Sequence, residues 1–184
     1  MNKHCEKVDK NFLKKWKKEY CGRDDREEYI NFINKQPLTK DHIQRLLRWK
    51  SSRFSRNLVH EITSPKNVKR INDMRSNAAL KEAEIDKFVT EFYPTYPYGG
   101  APVFGNYLKH LIKPEEFPIY DQYVHEAFHK LKGTTSKNCL AKCYNEYRIF
   151  FKETMQKLGC KSKTLDDAFW AYGYDKCNPT KDDP

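Results

Sequence analysis

The stretch Tyr98–Val124, YGGAPVFGNYLKHLIKPEEFPIYDQYV, spells turn, helix, turn and then a carboxylate at the head of a second helix. Gly99 and Gly100 allow a tight backbone turn, and Ala101-Pro102 opens a helix, because proline is tolerated where the first helical N–H has no partner anyway. Val103, Tyr107, Leu108 and Leu111 recur at helical spacing, and Pro114 forces an end. Phe117-Pro118-Ile119-Tyr120 then delivers Asp121 to the start of the next helix, where its side chain is expected to act as N-cap.

Working outward, the rest of the chain also reads helical. Phe12 to Tyr20 is a short basic amphipathic segment, and Asp24 caps a helix from Asp25 to about Asn34 with a stripe of Tyr29, Ile30 and Ile33. Beyond Pro37, Thr39 starts a stronger helix in which Ile43, Leu46, Leu47 and Phe54 face a core while Arg45, Arg48 and Ser52 line another side. Ser64-Pro65 opens a helix from Lys66 to Met74, and Ala79 to Phe92 forms another. A long helix is predicted from Asn138 to Leu158. A last one is capped by Thr164 and Asp167 and runs through Trp170. No alternating strand pattern occurs. The fold class expected is all-α, a single helical domain over residues 1–177, with an arrangement as two lobes around a cleft left open, and a flexible polar tail at 178–184.

The 184 residues suffice for one well-cored domain. Hydrophobic residues make up 38% and charged residues 33%, as in a chain with a core and a well-solvated exterior. No apolar run is long enough to span a bilayer, and the N-terminal segment lacks the apolar core of a signal peptide, so cytoplasmic residence is expected. The net charge of +10 is unevenly placed: residues 1–75 hold 20 Lys and Arg against 10 Asp and Glu, whereas residues 76–184 hold 15 of each. A basic N-terminal lobe suits a nucleic-acid partner. The six cysteines, at 5, 21, 139, 143, 160 and 177, are expected as thiols, since nothing points to secretion. Cys139 and Cys143 stand one helical turn apart, a spacing open to metal binding but expected to serve core packing.

The Tyr98–Val124 segment resembles the helix-hairpin-helix DNA glycosylase superfamily, in which a glycine hairpin binds DNA phosphate through backbone N–H groups and a Pro-x-Asp segment presents a catalytic aspartate. Gly100 matches the last hairpin glycine and Asp121 the aspartate, nineteen residues after position 102. Arg48-Trp49-Lys50 with Arg53, and Leu165-Asp166-Asp167-Ala168-Phe169-Trp170-Ala171-Tyr172-Gly173, resemble further pieces of bacterial relatives, so the likeness covers most of residues 39–173.

The resemblance implies a duplex DNA-binding protein that excises a damaged base, with Asp121 as catalytic carboxylate. Gly99, Gly100, Ala101 and Val103 would meet phosphate, extended by Arg45, Arg48, Lys50 and Arg53. Trp49, Tyr98, Tyr120 and Tyr123 are candidates for stacking on a base. Position 102, where bifunctional members carry a Schiff-base lysine, is proline, so the implied chemistry is monofunctional. The hairpin reads Tyr98-Gly99-Gly100 in place of glycine, apolar residue, glycine, and Glu126 replaces a frequent arginine. These departures leave a non-catalytic DNA-binding or interaction module as an alternative. Some relatives hold an iron–sulfur cluster on four cysteines, but the gaps of 4, 17 and 17 after Cys139 do not resemble that loop, and no cofactor is expected.

A second motif overlaps the first. His125-Glu126-Ala127-Phe128-His129 matches H-E-x-x-H, which on a helix offers two imidazoles to zinc and a glutamate to activate water. Glu146 is the third ligand available by sequence distance. Lys130 directly after the motif departs from zincin helices, and the apolar set Val124, Ala127, Phe128 and Leu131 is expected to leave the histidines nearer the surface. Zinc peptidase chemistry is therefore the alternative from a different class.

Overall fold

The computed structural model describes residues 7–20, 25–51, 54–95, 101–135 and 140–178. Within them are ten α-helices, one 3₁₀ turn and no strand. The chain divides into two compact units: Arg23–Glu116 forms one, and Met1–Gly22 joins Phe117–Pro184 in the other. The boundary at residue 75, where the excess of positive charge ends, thus falls inside the central unit.

The central unit holds α2 (Asp25–Ile33), α3 (Lys40–Lys50), α4 (Arg56–Ile62), α5 (Pro65–Ser76), α6 (Glu82–Thr90), a 3₁₀ turn (Tyr93–Thr95) and α7 (Ala101–Ile112). Short polar side chains start its helices as the sequence suggests. The Thr39 hydroxyl accepts from His42 N–H and the Ser64 hydroxyl from Asn67 N–H, each meeting one of the orphan donors of a first helical turn. Helix α4, not anticipated from the sequence, begins the same way, with Ser55 accepting from Leu58 N–H. Helix α6 is shorter than the Ala79–Phe92 span expected, because the chain turns at 78–79 before Lys81 leads into it.

Ile43, Leu46, Leu47, Leu58, Ile62 and Val89 are among the fully buried side chains of this unit. Polar clasps tie the helices together. The Asn72 amide donates to Leu38 C=O and accepts from Leu38 N–H, fixing the loop before α3. The Arg75 guanidinium donates to Leu111 C=O near the end of α7 and, at 2.8 Å, to Ile33 C=O at the end of α2. One cation thus satisfies carbonyls at two helix C-termini, where the peptide dipoles favour positive charge.

The other unit comprises α1 (Lys10–Tyr20), α8 (Gln122–Lys132), α9 (Leu140–Leu158) and α10 (Ser162–Cys177). Its core is dominated by aromatic rings: Phe12 and Trp16 of α1 lie edge-on to Tyr172 at 5.3 and 5.2 Å, and Phe151 of α9 meets Phe169 of α10 at 6.0 Å. Helix α1 buries Phe12, Leu13, Trp16 and Tyr20 while Lys10, Lys14, Lys15 and Lys18 stay exposed, the two-faced pattern read from the sequence.

Helix α10 differs from expectation at both ends. Lys161 occupies its N-cap position without a side-chain cap bond, and Thr164 lies inside the first turn. The helix then runs past Trp170 to Cys177, where Asn178 N–H and side-chain amide both donate to Tyr174 C=O. Gly173 is a point of close approach between α10 and α8: a Cβ there would stand 1.8 Å from Tyr123 O. Only glycine fits a backbone contact that tight. Residues 179–184, read as a flexible tail, lie outside the described residues.

Candidate functional site

Helix α7 begins at Ala101, directly after the paired glycines, and ends at Ile112 before Pro114. Gly99, Gly100, Tyr98 and Arg53 lie outside the described residues, as do Asp24 and Ser52. Val103 is half-buried, so its contribution to a phosphate site would come from its main chain.

Asp121 stands where the sequence puts it, as the N-cap of α8, with Oδ1 accepting from Tyr123 N–H and Val124 N–H at 3.1 Å each. The approach is rigid: Phe117, Pro118, Ile119 and Tyr120 are all buried, and Pro118 C=O accepts from the Tyr144 hydroxyl. Asp121 itself is half-buried. Its carboxylate therefore combines a position held by two backbone N–H groups with access to solvent.

The basic residues of α3 are not equivalent. Arg45 is engaged with Asp41 at 2.9 Å and Glu28 at 3.7 Å. Arg48 is exposed, and Lys50 lies 6.0 Å from the Tyr107 ring. Of the proposed stacking residues, Tyr120 is corrected outright. It is 1% exposed and stacks on Tyr147 at 4.8 Å, so it belongs to the core. Trp49 packs on Tyr29 with centroids 4.5 Å apart, and its buried indole Nε1 has no hydrogen-bond partner. Tyr123 sits edge-on to Trp170 and Tyr174 at 5.1 and 5.2 Å.

The H-E-x-x-H residues are where the sequence reading changes most. His125 is 6% exposed and His129 half-buried, contrary to the expectation that both lie near the surface. The reason is that α8 is covered by α10 on one side, through Gly173, and by α9 on another, through Phe128 against Phe150 at 5.5 Å. An amphipathic helix with two covered flanks buries more than its apolar stripe.

The two imidazoles, one turn apart, have centroids 4.5 Å apart, and one ligand atom from each of His125, His129 and Cys143 lies within 4.8 Å of the others. Glu146, the third ligand suggested by sequence distance, is not in this group. Its side chain is 69% exposed and points to Lys132 at 3.6 Å. Cys139 lies outside the described residues, and Cys143, Cys160 and Cys177 form no disulfide.

Burial, followed by the neighbouring His129, lowers the His125 pKa, against the pull of Glu126. Glu126 pairs with Lys130 at 3.5 Å, and its charge adds to burial in raising the Cys177 thiol. Thus the motif places its histidines toward α9 and its glutamate in an ion pair on a flank of α8. Cys143 carried a local signal only through its one-turn spacing from Cys139, which did not point to the histidines, and the burial of His125 carried none.

The chain matches no family model, no curated protein and no solved structure. Among the described residues, no helix is long and apolar enough to cross a membrane.

Proposed function

We propose that this all-α protein binds duplex DNA in the manner of a monofunctional helix-hairpin-helix DNA glycosylase, with Asp121 as its acting carboxylate. The observation that carries the reading is the setting of Asp121, anchored by two backbone N–H groups behind a buried Phe-Pro-Ile-Tyr lead while remaining half-exposed. The start of α7 at Ala101 adds support, since it puts the glycine pair immediately before a helix N-terminus, a setting that favours phosphate. So does the exposed Arg48. In this mechanism Asp121 activates water or stabilises the sugar cation as an extruded base departs. Pro102 has no amine to form a covalent adduct, so excision leaves an intact abasic strand.

The test is single-turnover excision over alkylated, oxidised and deaminated bases, together with binding to an abasic-site analogue. Asp121→Asn keeps an oxygen for the α8 cap, so the fold and DNA affinity are expected to persist while excision falls by about 10²-fold or more. Firm duplex binding with no excision of any lesion would leave the non-catalytic module. Excision that survives Asp121→Asn unchanged would remove Asp121 from the chemistry.

A further inference from the structure

We propose that His125, His129 and Cys143 bind one zinc-class transition-metal ion, with Thr134 and Tyr120 as the hydroxyls that orient the two imidazoles. The inference goes beyond the DNA reading and does not depend on it.

The orientation follows from proton bookkeeping at His129. Gly133, in the left-handed conformation with φ 66°, ends α8 and turns Thr134 back over the last turn. Thr134 O–H donates to His129 C=O at 3.4 Å, so its oxygen is left to accept from His129 Nδ1–H at 2.8 Å. The neutral ring then carries its lone pair on Nε2, and that atom is buried with no hydrogen-bond partner. A desolvated lone pair with nothing to bind costs about 1–3 kcal/mol, a penalty that a metal bond removes. His125 is arranged alike, its Nδ1 hydrogen-bonded to the Tyr120 hydroxyl at 2.7 Å, which leaves its Nε2 as the ligating atom. Tying the remote imidazole nitrogen to an oxygen is the usual way a protein fixes the tautomer of a metal-binding histidine.

The donor set names the class of ion. Two imidazoles and a thiolate suit zinc, cobalt(II) and their neighbours and disfavour magnesium and calcium, which take oxygen ligands. For three donors no more than 4.8 Å apart, some point lies within about 2.8 Å of all of them. Contraction by roughly 0.5–0.8 Å per ligand then reaches bonds of about 2.0–2.3 Å. Binding breaks the Cys143 S–H bond, the thiolate takes the metal and the proton passes to solvent. Three protein ligands leave a fourth tetrahedral position for water or another small ligand.

The experiment uses the full chain, reduced and stripped with chelator, then titrated anaerobically with cobalt(II). One equivalent is expected to bind with a thiolate-to-cobalt charge-transfer band, and zinc(II) is expected to displace it. Cys143→Ser should abolish the band. Thr134→Val, which removes no donor atom but takes away the hydroxyl that holds His129 Nδ1, should weaken affinity about 10–100-fold with stoichiometry and circular dichroism unchanged. Glu146→Gln should have no effect. No saturable binding by the parent chain, a charge-transfer band that persists in Cys143→Ser, or loss of binding in Glu146→Gln would each overturn the assignment.

Discussion

Replacing Gly173 by alanine tests the close crossing of α8 and α10. The added methyl would stand 1.8 Å from Tyr123 O and 2.6 Å from Tyr123 C, both main-chain atoms of α8 that no rotamer change can move away. Restoring a contact of roughly 3.2 Å requires α8 and α10 to part by about 1.4 Å, which loosens the dispersion contacts along their shared seam. Overpacking of this kind typically costs about 1–3 kcal/mol, and an unyielding backbone obstacle places Gly173→Ala near the upper end. Helix propensity returns about 1 kcal/mol. The net expectation is a loss of about 2 kcal/mol, seen as a thermal midpoint lower by roughly 4–8 °C for a chain of this size. Thermal and urea unfolding followed by circular dichroism measure it. An unchanged or raised midpoint would refute the reasoning, because propensity alone would then be acting and the crossing would have to be wider than described.

Arg75→Lys should destabilise nearly as much as Arg75→Ala, by about 2–3 kcal/mol in urea unfolding, since a lysine cannot fork to Leu111 and Ile33 carbonyls together. Hydrogen bonding to Arg70 lowers the Glu91 pKa, so this pair stabilises above the unfolded carboxylate pKa and ceases to do so as pH falls through the lower folded value. Both side chains are partly exposed, so Arg70→Met should cost only about 0.5–1 kcal/mol near neutral pH and less once Glu91 is protonated, a difference that urea curves at the two pH values would read. In DNA binding, parent affinity should fall with salt with a log–log slope of roughly −4 to −5. Arg48→Gln should flatten that slope by about one, and Arg45→Gln by less, because Asp41 and Glu28 already engage Arg45.

What could be read from the sequence was local. Thr39, Ser64 and Asp121 announce helix starts because a capping side chain bonds to a backbone group two or three residues away, so neighbours alone determine it. Proline and glycine bracket α7 for the same reason. Helix α4 was missed because seven residues give too few turns for periodicity to show. The burial of Tyr120 and His125 depends on α9 and α10, whose packing against α8 no local pattern encodes. The third member of the histidine cluster was obscured for a related reason: Cys143 and Glu146 are a turn apart on α9, and the register of that helix decides which of them meets α8.

The unit that contains α8, α9 and α10 is completed by α1, while the whole of the Arg23–Glu116 unit intervenes in the chain. During synthesis the central unit can close on itself as one contiguous piece, whereas Phe12 and Trp16 wait for Tyr172 until α10 has emerged. A lysine-studded helix with an aromatic face is thereby left uncovered until α10 has been made, so truncation before α10 would cost solubility well before it cost helical content.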